Sequence, residues 1–120
     1  MNILVVDDKK DILTLVQTIL EMEGYKVTTS NNGADAVVQC KHNEFPIIFL
    51  DLMMEGMDGF VTLKEIRKTE LNKSSHIIAL TAKAYENDKR EVLEKGFNDH
   101  FSKPFRVNDI LNKVREVIER

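Results

Sequence analysis

The sequence predicts an α/β fold built as one domain, with a parallel sheet covered by helices on both faces. Three observations lead there. Short apolar runs of strand length recur at 3–6, 47–50 and 77–80, each bounded by polar or turn residues. Segments with helical spacing of apolar residues separate them, so a β-α alternation repeats five times and calls for right-handed crossovers. The length, 120 residues, supports a single hydrophobic core and divides poorly into two, so the domain is expected to span 1–120.

The first strand is Ile3, Leu4, Val5 and Val6. Ile12, Leu15, Val16, Ile19 and Leu20 follow at helical spacing, and Gly24 closes that helix as a C-terminal cap residue. Residues 26–30 read as a short β-branched strand, Asn31, Asn32 and Gly33 as a turn, and Ala34, Val37, Val38 and Cys40 as a short second helix. Pro46 marks the start of the third strand, Ile47 to Leu50 in one apolar run. Asp58 is placed to cap a third helix carrying Phe60, Leu63 and Ile66, and a polar loop at 72–75 leads into the fourth strand. A fourth helix is predicted over 84–95, ended by Gly96. A weaker fifth strand at 99–102 leads through Pro104 into a last helix with Val107, Ile110, Leu111, Val114, Val117 and Ile118. No repeat, low-complexity tract or linker interrupts the alternation.

Charge and composition narrow the partners. The formal charge is -3 with 31% charged residues, and no basic run could neutralise several phosphates of a duplex, so direct nucleic-acid binding is not expected. A single cysteine, Cys40, cannot form an internal disulfide, and neither a leader nor an apolar run of about 18 residues is present. The expectation is a cytoplasmic protein with no membrane partner.

The chemistry-bearing residues cluster at strand ends. Asp7 and Asp8 follow the first strand, Asp51 the third, Thr81 the fourth, and Lys103 with Pro104 the fifth. The carboxyl ends of the strands are where an open α/β sheet binds ligands. Each residue alone has an ordinary reading: an Asp-Asp pair is a solvated turn, a lone Asp a helix cap, a Thr or a Lys before Pro a structural or solvated residue. Together they change the electrostatics. Three acids in one pocket repel unless compensated, and with Lys103 they sum to a charge of -2, which one divalent cation balances. Oxygen ligands suit Mg2+, which takes one or two protein carboxylates, waters and a phosphate oxygen. A carboxylate can also be the nucleophile that forms an acyl phosphate, and in-line phosphoryl transfer asks the protein mainly for positioning and charge neutralisation. Lys103 offers the ammonium and Thr81 the hydroxyl for that task.

Five motifs, in order and spacing, resemble the receiver domain of bacterial-type two-component response regulators. They are Leu4-Val5-Val6-Asp7-Asp8, Leu50-Asp51-Leu52-Met53-Met54, Met57-Asp58-Gly59, Leu80-Thr81-Ala82 and Lys103-Pro104-Phe105, and the resemblance covers the whole chain. It implies a doubly wound, flavodoxin-like (βα)5 fold with a five-stranded parallel sheet in order 2-1-3-4-5. It implies Asp51 as phosphoacceptor, with Mg2+ held directly by Asp8, Asp51 and the backbone carbonyl of Met53, and Asp7 acting through water or orientation. Lys103 would pair with the carboxylate and then with the phosphoryl group, Thr81 would swing toward it, and the Lys103-Pro104 bond would be cis. The domain would be a signalling phosphoacceptor, not an enzyme acting on other substrates, that assists its own phosphorylation and dephosphorylation. Its donor would be a sensor histidine kinase or histidine phosphotransfer protein. Its readout would be a change in the helix four, strand five, helix five face, which controls a downstream target or fused output domain, with phosphorylation-dependent homodimerisation as one route.

Several positions depart from the family pattern or have two readings. His100 stands three residues before Lys103, where an aromatic residue usually couples to the Thr movement; it is either a pH-sensitive switch residue or a surface histidine of an edge strand. Glu55 replaces a common proline, which makes that loop more flexible and more acidic. Met53 and Lys83 lie two residues beyond Asp51 and Thr81, where the resemblance implies that side chains tune water access to the phosphoryl group. Met53, Met54 and Met57 read as loop packing and core filling before they read as an apolar patch. Leu13, beside the first helix's stripe, is either exposed for donor docking or partly buried. His42 and His76 sit in polar loops without ligand spacing and receive no role.

Two other functions compete. A haloacid-dehalogenase-like phosphatase also uses an aspartyl nucleophile after a strand but wants a second aspartate two residues on, where Met53 stands. A receiver-like interaction module that never accepts phosphate is disfavoured by the intact acidic pair, Thr81 and Lys103. Arg120 directly follows the last helix, so the expectation is a stand-alone regulator or a receiver excised from a fused effector.

Overall fold

The computed structural model describes residues 1–82, 89–103 and 105–119. Five strands, β1 (Asn2–Val6), β2 (Lys26–Ser30), β3 (Ile47–Asp51), β4 (His76–Ala82) and β5 (Asp99–Lys103), alternate with α1 (Lys10–Met22), α2 (Gly33–His42), α3 (Gly59–Arg67), α4 (Lys89–Glu94) and α5 (Val107–Ile118). All strand pairs are parallel and the order is β2-β1-β3-β4-β5. This is the doubly wound sheet expected from the sequence.

The period-two geometry of a strand explains the layering. Ile3, Val5, Ile47, Phe49, Ile78 and Leu80 face α1 and α5. Leu4, Val6, Ile48, Leu50, Ile77 and Ala79 face α2, α3 and α4. Every residue of β3 is buried, as a central parallel strand covered on both sides requires. Each fully buried Ile or Phe contributes roughly 2 kcal/mol by leaving water.

Glycines end the helices where anticipated. Gly24 adopts φ +90°, with its N–H donating to the Glu21 carbonyl and that of Tyr25 to Leu20. Gly96, at φ +115°, closes α4 with the same pair of bonds, from Gly96 to Leu93 and from Phe97 to Val92. Both are Schellman terminations, which need a residue free to take the left-handed region. Asp58 caps α3 as predicted, its Oδ1 accepting the Val61 N–H at 2.9 Å.

Four local readings are corrected. Leu13 lies in the buried stripe of α1, whereas Leu15 is 42% exposed. The sheet receives the line Leu13, Val16, Leu20, and Leu15 falls about 100° around the helix from Val16. Gly33 belongs to α2, not to a turn, because Asn32 caps that helix by accepting the Asp35 N–H at 2.7 Å. A Cβ at Gly33 would collide with the Thr62 hydroxyl, so close packing of α2 on α3 selects the glycine. Within α2 the buried residues are Gly33, Ala36 and Cys40, while Val38 is exposed. Segment 72–75 is the polar loop expected, with Lys73 and Ser74 exposed, but the Asn72 side chain is buried, accepting from the Phe45 N–H (2.7 Å) and the Ser75 hydroxyl (3.0 Å) and donating to the Cys40 and Asn43 carbonyls (both 2.7 Å). Finally, His42 ends α2 and His76 begins β4, its N–H donating to the Pro46 carbonyl at 2.9 Å.

The predicted start of the fourth helix, the Lys103-Pro104 bond geometry and Lys83 lie outside the described residues. Cys40 is buried beneath α2, and burial pushes its thiol up to about 12, so at neutral pH it is an un-ionised, inert side chain. The edge strand β5 is tied to α5 by Lys113, which donates to Asp99 at 2.7 Å and lies 5.7 Å from the centre of the Phe101 ring. Burial alone would raise the Asp99 carboxyl, but the hydrogen bonds from Lys113 and the His100 N–H, with the Lys113 charge, hold it below its ordinary value.

Candidate functional site

Strand order brings together what sequence separates. With β1 and β3 adjacent, and β4 then β5 beyond, the strand ends carrying Asp7, Asp51, Thr81 and Lys103 line one edge of the sheet. The chain is held there by ladder-extending bonds: the Asp7 N–H donates to the Ser30 carbonyl (3.1 Å) and the Leu52 N–H to the Leu80 carbonyl (3.2 Å). Gly59 lets α3 start directly on the end of β3. A Cβ there would sit 2.5 Å from the Asp51 carbonyl oxygen and 2.6 Å from the Leu52 Cα.

Asp7 is fully buried, Asp51 is 2% exposed and Asp8 is exposed. Oxygens of the three carboxylates lie within 4.8 Å of one another, the one such acidic group among the described residues. Lys103 enters from β5. Its Nζ is 2.7 Å from Asp7 Oδ2 and 3.4 Å from Asp51 Oδ1, so the ammonium is shared and its tighter contact is with Asp7. The resemblance implied a pair between Lys103 and the Asp51 carboxylate; the structure has that pair and adds a closer one to Asp7. Backbone donors complete the two buried acids: the Lys9 N–H reaches Asp7 Oδ1 at 2.9 Å and the Met53 N–H reaches Asp51 Oδ1 at 3.2 Å.

One atom is left over. Asp51 Oδ2 is buried without a hydrogen-bond partner. Burial, then the charge of Asp7, pushes the Asp51 carboxyl up to about 6, against the opposing pull of Lys103 and the Met53 N–H. A buried oxygen with no donor, beside two further acids, is a site short of positive charge. A hard divalent cation supplies that charge, and an all-oxygen donor set suits it.

Thr81 is fully buried and its hydroxyl donates to the Phe101 carbonyl at 3.2 Å, across to β5 and not to an acid. His100 is half-buried and pairs in register with Ala79, two residues before Thr81. Met53 is 54% exposed, Met54 is buried and Met57 is intermediate, so loop packing takes Met54 and leaves Met53 at the mouth. Two clefts meet at Asp8. One, about 720 Å³ and largely polar, is bounded by α1 and the β2-α2 turn, with Lys10, Thr14, Gln17, Ser30 and Asn32 on its walls. The other, about 470 Å³, is formed by Leu52, Met53, Met54, Asp58 and Phe60.

Sequence reasoning missed the supports. Ser30, whose hydroxyl donates to Asp35 at 2.7 Å and whose carbonyl receives the Asp7 N–H, carries no signal beyond being a polar strand end. The Lys9 N–H is backbone and invisible to residue type. Gly59 had a signal in the Asp58-Gly59 pair, a cap followed by a residue without Cβ.

A family model described as the response regulator receiver domain matches residues 3–115. The chain is 35% identical over 119 residues to the response regulator SaeR of Staphylococcus aureus, covering 99% of this chain and 51% of that protein, so it spans about half the length of the curated relatives it matches. Among solved structures, it is similar to the chemotaxis protein CheY4 of Vibrio cholerae, with a TM-score of 0.90, 29% identity and 97% of each chain covered. It is also similar to the receiver domain of the sensor histidine kinase PA1611 from Pseudomonas aeruginosa, a structure with a magnesium ion coordinated in its active site cleft. There the TM-score is 0.89 and the identity 31%, over 99% of this chain and 98% of that one. Sheet order, the acidic edge and these likenesses agree, and the chain belongs to the response regulator receiver domain family of two-component signalling.

Proposed function

We propose that Asp51 is the phosphoacceptor of this receiver domain and that the reaction depends on Mg2+. The carrying observation is the partnerless, buried Asp51 Oδ2 beside an ammonium and two other carboxylates. In the transfer, an Asp51 oxygen attacks the phosphorus of a donor phosphohistidine or of acetyl phosphate. The bond to the donor breaks, its electron pair leaves with the donor, and an acyl phosphate remains on Asp51.

Asp8, Asp51 and the Met53 carbonyl would hold the ion, with Asp7 orienting through water or through Lys103, and bound Mg2+ supplies neutralisation of charge on the transferring oxygens. Lys103 already spans both buried acids and can remain on Asp7 while extending donors to the new phosphoryl group. Thr81 would turn its hydroxyl from the Phe101 carbonyl to a phosphoryl oxygen, and His100, two residues along the facing strand, would respond by changing rotamer. That readout reaches a partner or output domain through α4, β5 and α5, including by homodimerisation. The donor is a histidine kinase or a histidine phosphotransfer protein, and the same site assists gain and loss of its own phosphoryl group. Residues 1–120 act as one domain in the cytoplasm; no helix of the described residues is long and apolar enough to cross a membrane.

The test is incubation with Mg2+ and acetyl phosphate or beryllofluoride, comparing wild type with Asp51→Asn. The reading expects a modification, or a fluoride complex, that needs both Mg2+ and Asp51. Its absence in the wild type would leave a non-phosphorylated interaction module.

A further inference from the structure

On the face of the sheet covered by α2, α3 and α4, away from the acidic edge, lies a cavity of about 520 Å³ between α3 and the end of α4. Its lining is Phe60, Val61, Leu63, Lys64, Arg67 and Lys95. The apolar part is real surface: Val61 is 47% exposed and Phe60 is only half-buried, its ring set edge-on to Phe97 at 5.9 Å.

Its rim carries three cations, Lys64, Arg67 and Lys95. Arg67 donates to the carbonyls of Lys73, Ser75 and Gly96 and to Asn98 Oδ1, four neutral acceptors. Neither Arg67, Lys64 nor Lys95 has a carboxylate within 4.0 Å among the described residues, although Glu65 is one residue from Lys64 and Glu94 one from Lys95; Glu65 is committed to Lys68. In a chain of net charge -3, this lining carries three cations and no carboxylate around an apolar floor. Surfaces recognise partners by such complementarity of charge around a desolvated anchor.

We infer that the α3-α4 groove docks an acidic protein segment, with one aromatic or large aliphatic side chain seated on Phe60 and Val61 and flanking carboxylates on Lys64 and Lys95, while Arg67, held by its four internal acceptors, adds its charge to the field of the groove. Phe60 also walls the cleft that ends at Asp8, so the occupant touches a side chain one contact from the β3-α3 loop. The docking itself does not depend on the chemistry of Asp51.

The experiment is amide NMR of the isotopically labelled protein titrated with a short peptide of glutamates around a central Phe. Matched peptides replace the glutamates by lysines or the Phe by Ser, and anionic lipid vesicles and a single-stranded oligonucleotide form further arms. The expected result is saturable shifts confined to 59–67 and 94–97. Lys64→Glu combined with Lys95→Glu should weaken the acidic peptide about tenfold and strengthen the lysine peptide by a similar factor. Unchanged thermal unfolding and acetyl phosphate modification would show that the variant is folded. Shifts elsewhere, indifference to the charge reversal, equal binding of the Ser peptide, or tighter binding of vesicles or oligonucleotide would each overturn the inference.

Discussion

Lys103 Nζ lies closer to Asp7 (2.7 Å) than to Asp51 (3.4 Å), so one ammonium from the edge strand pairs with two buried acids at once and leaves them one positive charge short. Lys103→Ala therefore strands both. Unfolding in denaturant without Mg2+ should show a loss of about 3 kcal/mol, the scale for breaking a buried ion pair, with much of it recovered at saturating Mg2+. The response to phosphorylation should weaken more than Mg2+ affinity does. Equal loss of both would argue against a phosphoryl-reading role for Lys103.

Asp51→Asn should stabilise the metal-free protein at pH 7 by up to about 3 kcal/mol, the upper limit set by a carboxyl held at about 6 against an ordinary 3.8. The folded carboxyl keeps its proton to higher pH than the unfolded one, so wild-type stability falls as pH rises from 3.8 to 6. The advantage of the variant should be full above pH 6 and vanish below 3.8. Parallel denaturation series across this range test it; a constant difference between variant and wild type would contradict it.

Gly59→Ala places a methyl 2.5 Å from the Asp51 carbonyl oxygen, with backbone on both sides of the contact. The start of α3 must back away from β3, at a cost of about 2 kcal/mol or more. Because the contact bears on the Asp51 carbonyl itself, Mg2+ affinity measured by calorimetry should fall too. Gly24→Ala has open space and only an unfavourable φ of +90°, so it should cost about 1 kcal/mol and leave Mg2+ binding intact.

Asn72→Ala removes four hydrogen bonds made by a buried amide and leaves the Phe45 N–H and the Cys40 carbonyl without this partner. A loss of about 3 kcal/mol in thermal or chemical unfolding is expected, with phosphorylation by acetyl phosphate unaffected in the folded fraction. Asn72→Asp, which keeps the acceptor but sets a buried carboxylate against the Cys40 and Asn43 carbonyls, should cost at least as much.

The strands and the acid site were legible because their signals are short-range. Apolar runs marked β1, β3 and β4, and each candidate site residue followed its strand directly, so knowing the strands located the acidic cluster. The failures share a cause. Leu13 and Leu15 are chemically the same residue, and only the docking angle of α1 decides which is covered. Asn72 reads as loop in any local window because three of its four partners lie 27 to 32 residues away. Gly33 reads as a turn residue until Thr62 on α3 fills the space above it. Arg67 looks like an ordinary helix-end cation, and its four acceptors come from two other loops. The sharing of Lys103 between two acids is likewise a matter of distances that residue type does not carry.

Cys40 offers a use that none of the site residues does. Its thiol is buried and held un-ionised, so a thiol-reactive dye can reach it only when α2 lifts from the core. The labelling rate is then a clock for openings of that helix, with no mutation needed to install the probe. Run with and without Mg2+ and beryllofluoride, the clock measures how far loading of the acidic edge tightens the layer beneath α2.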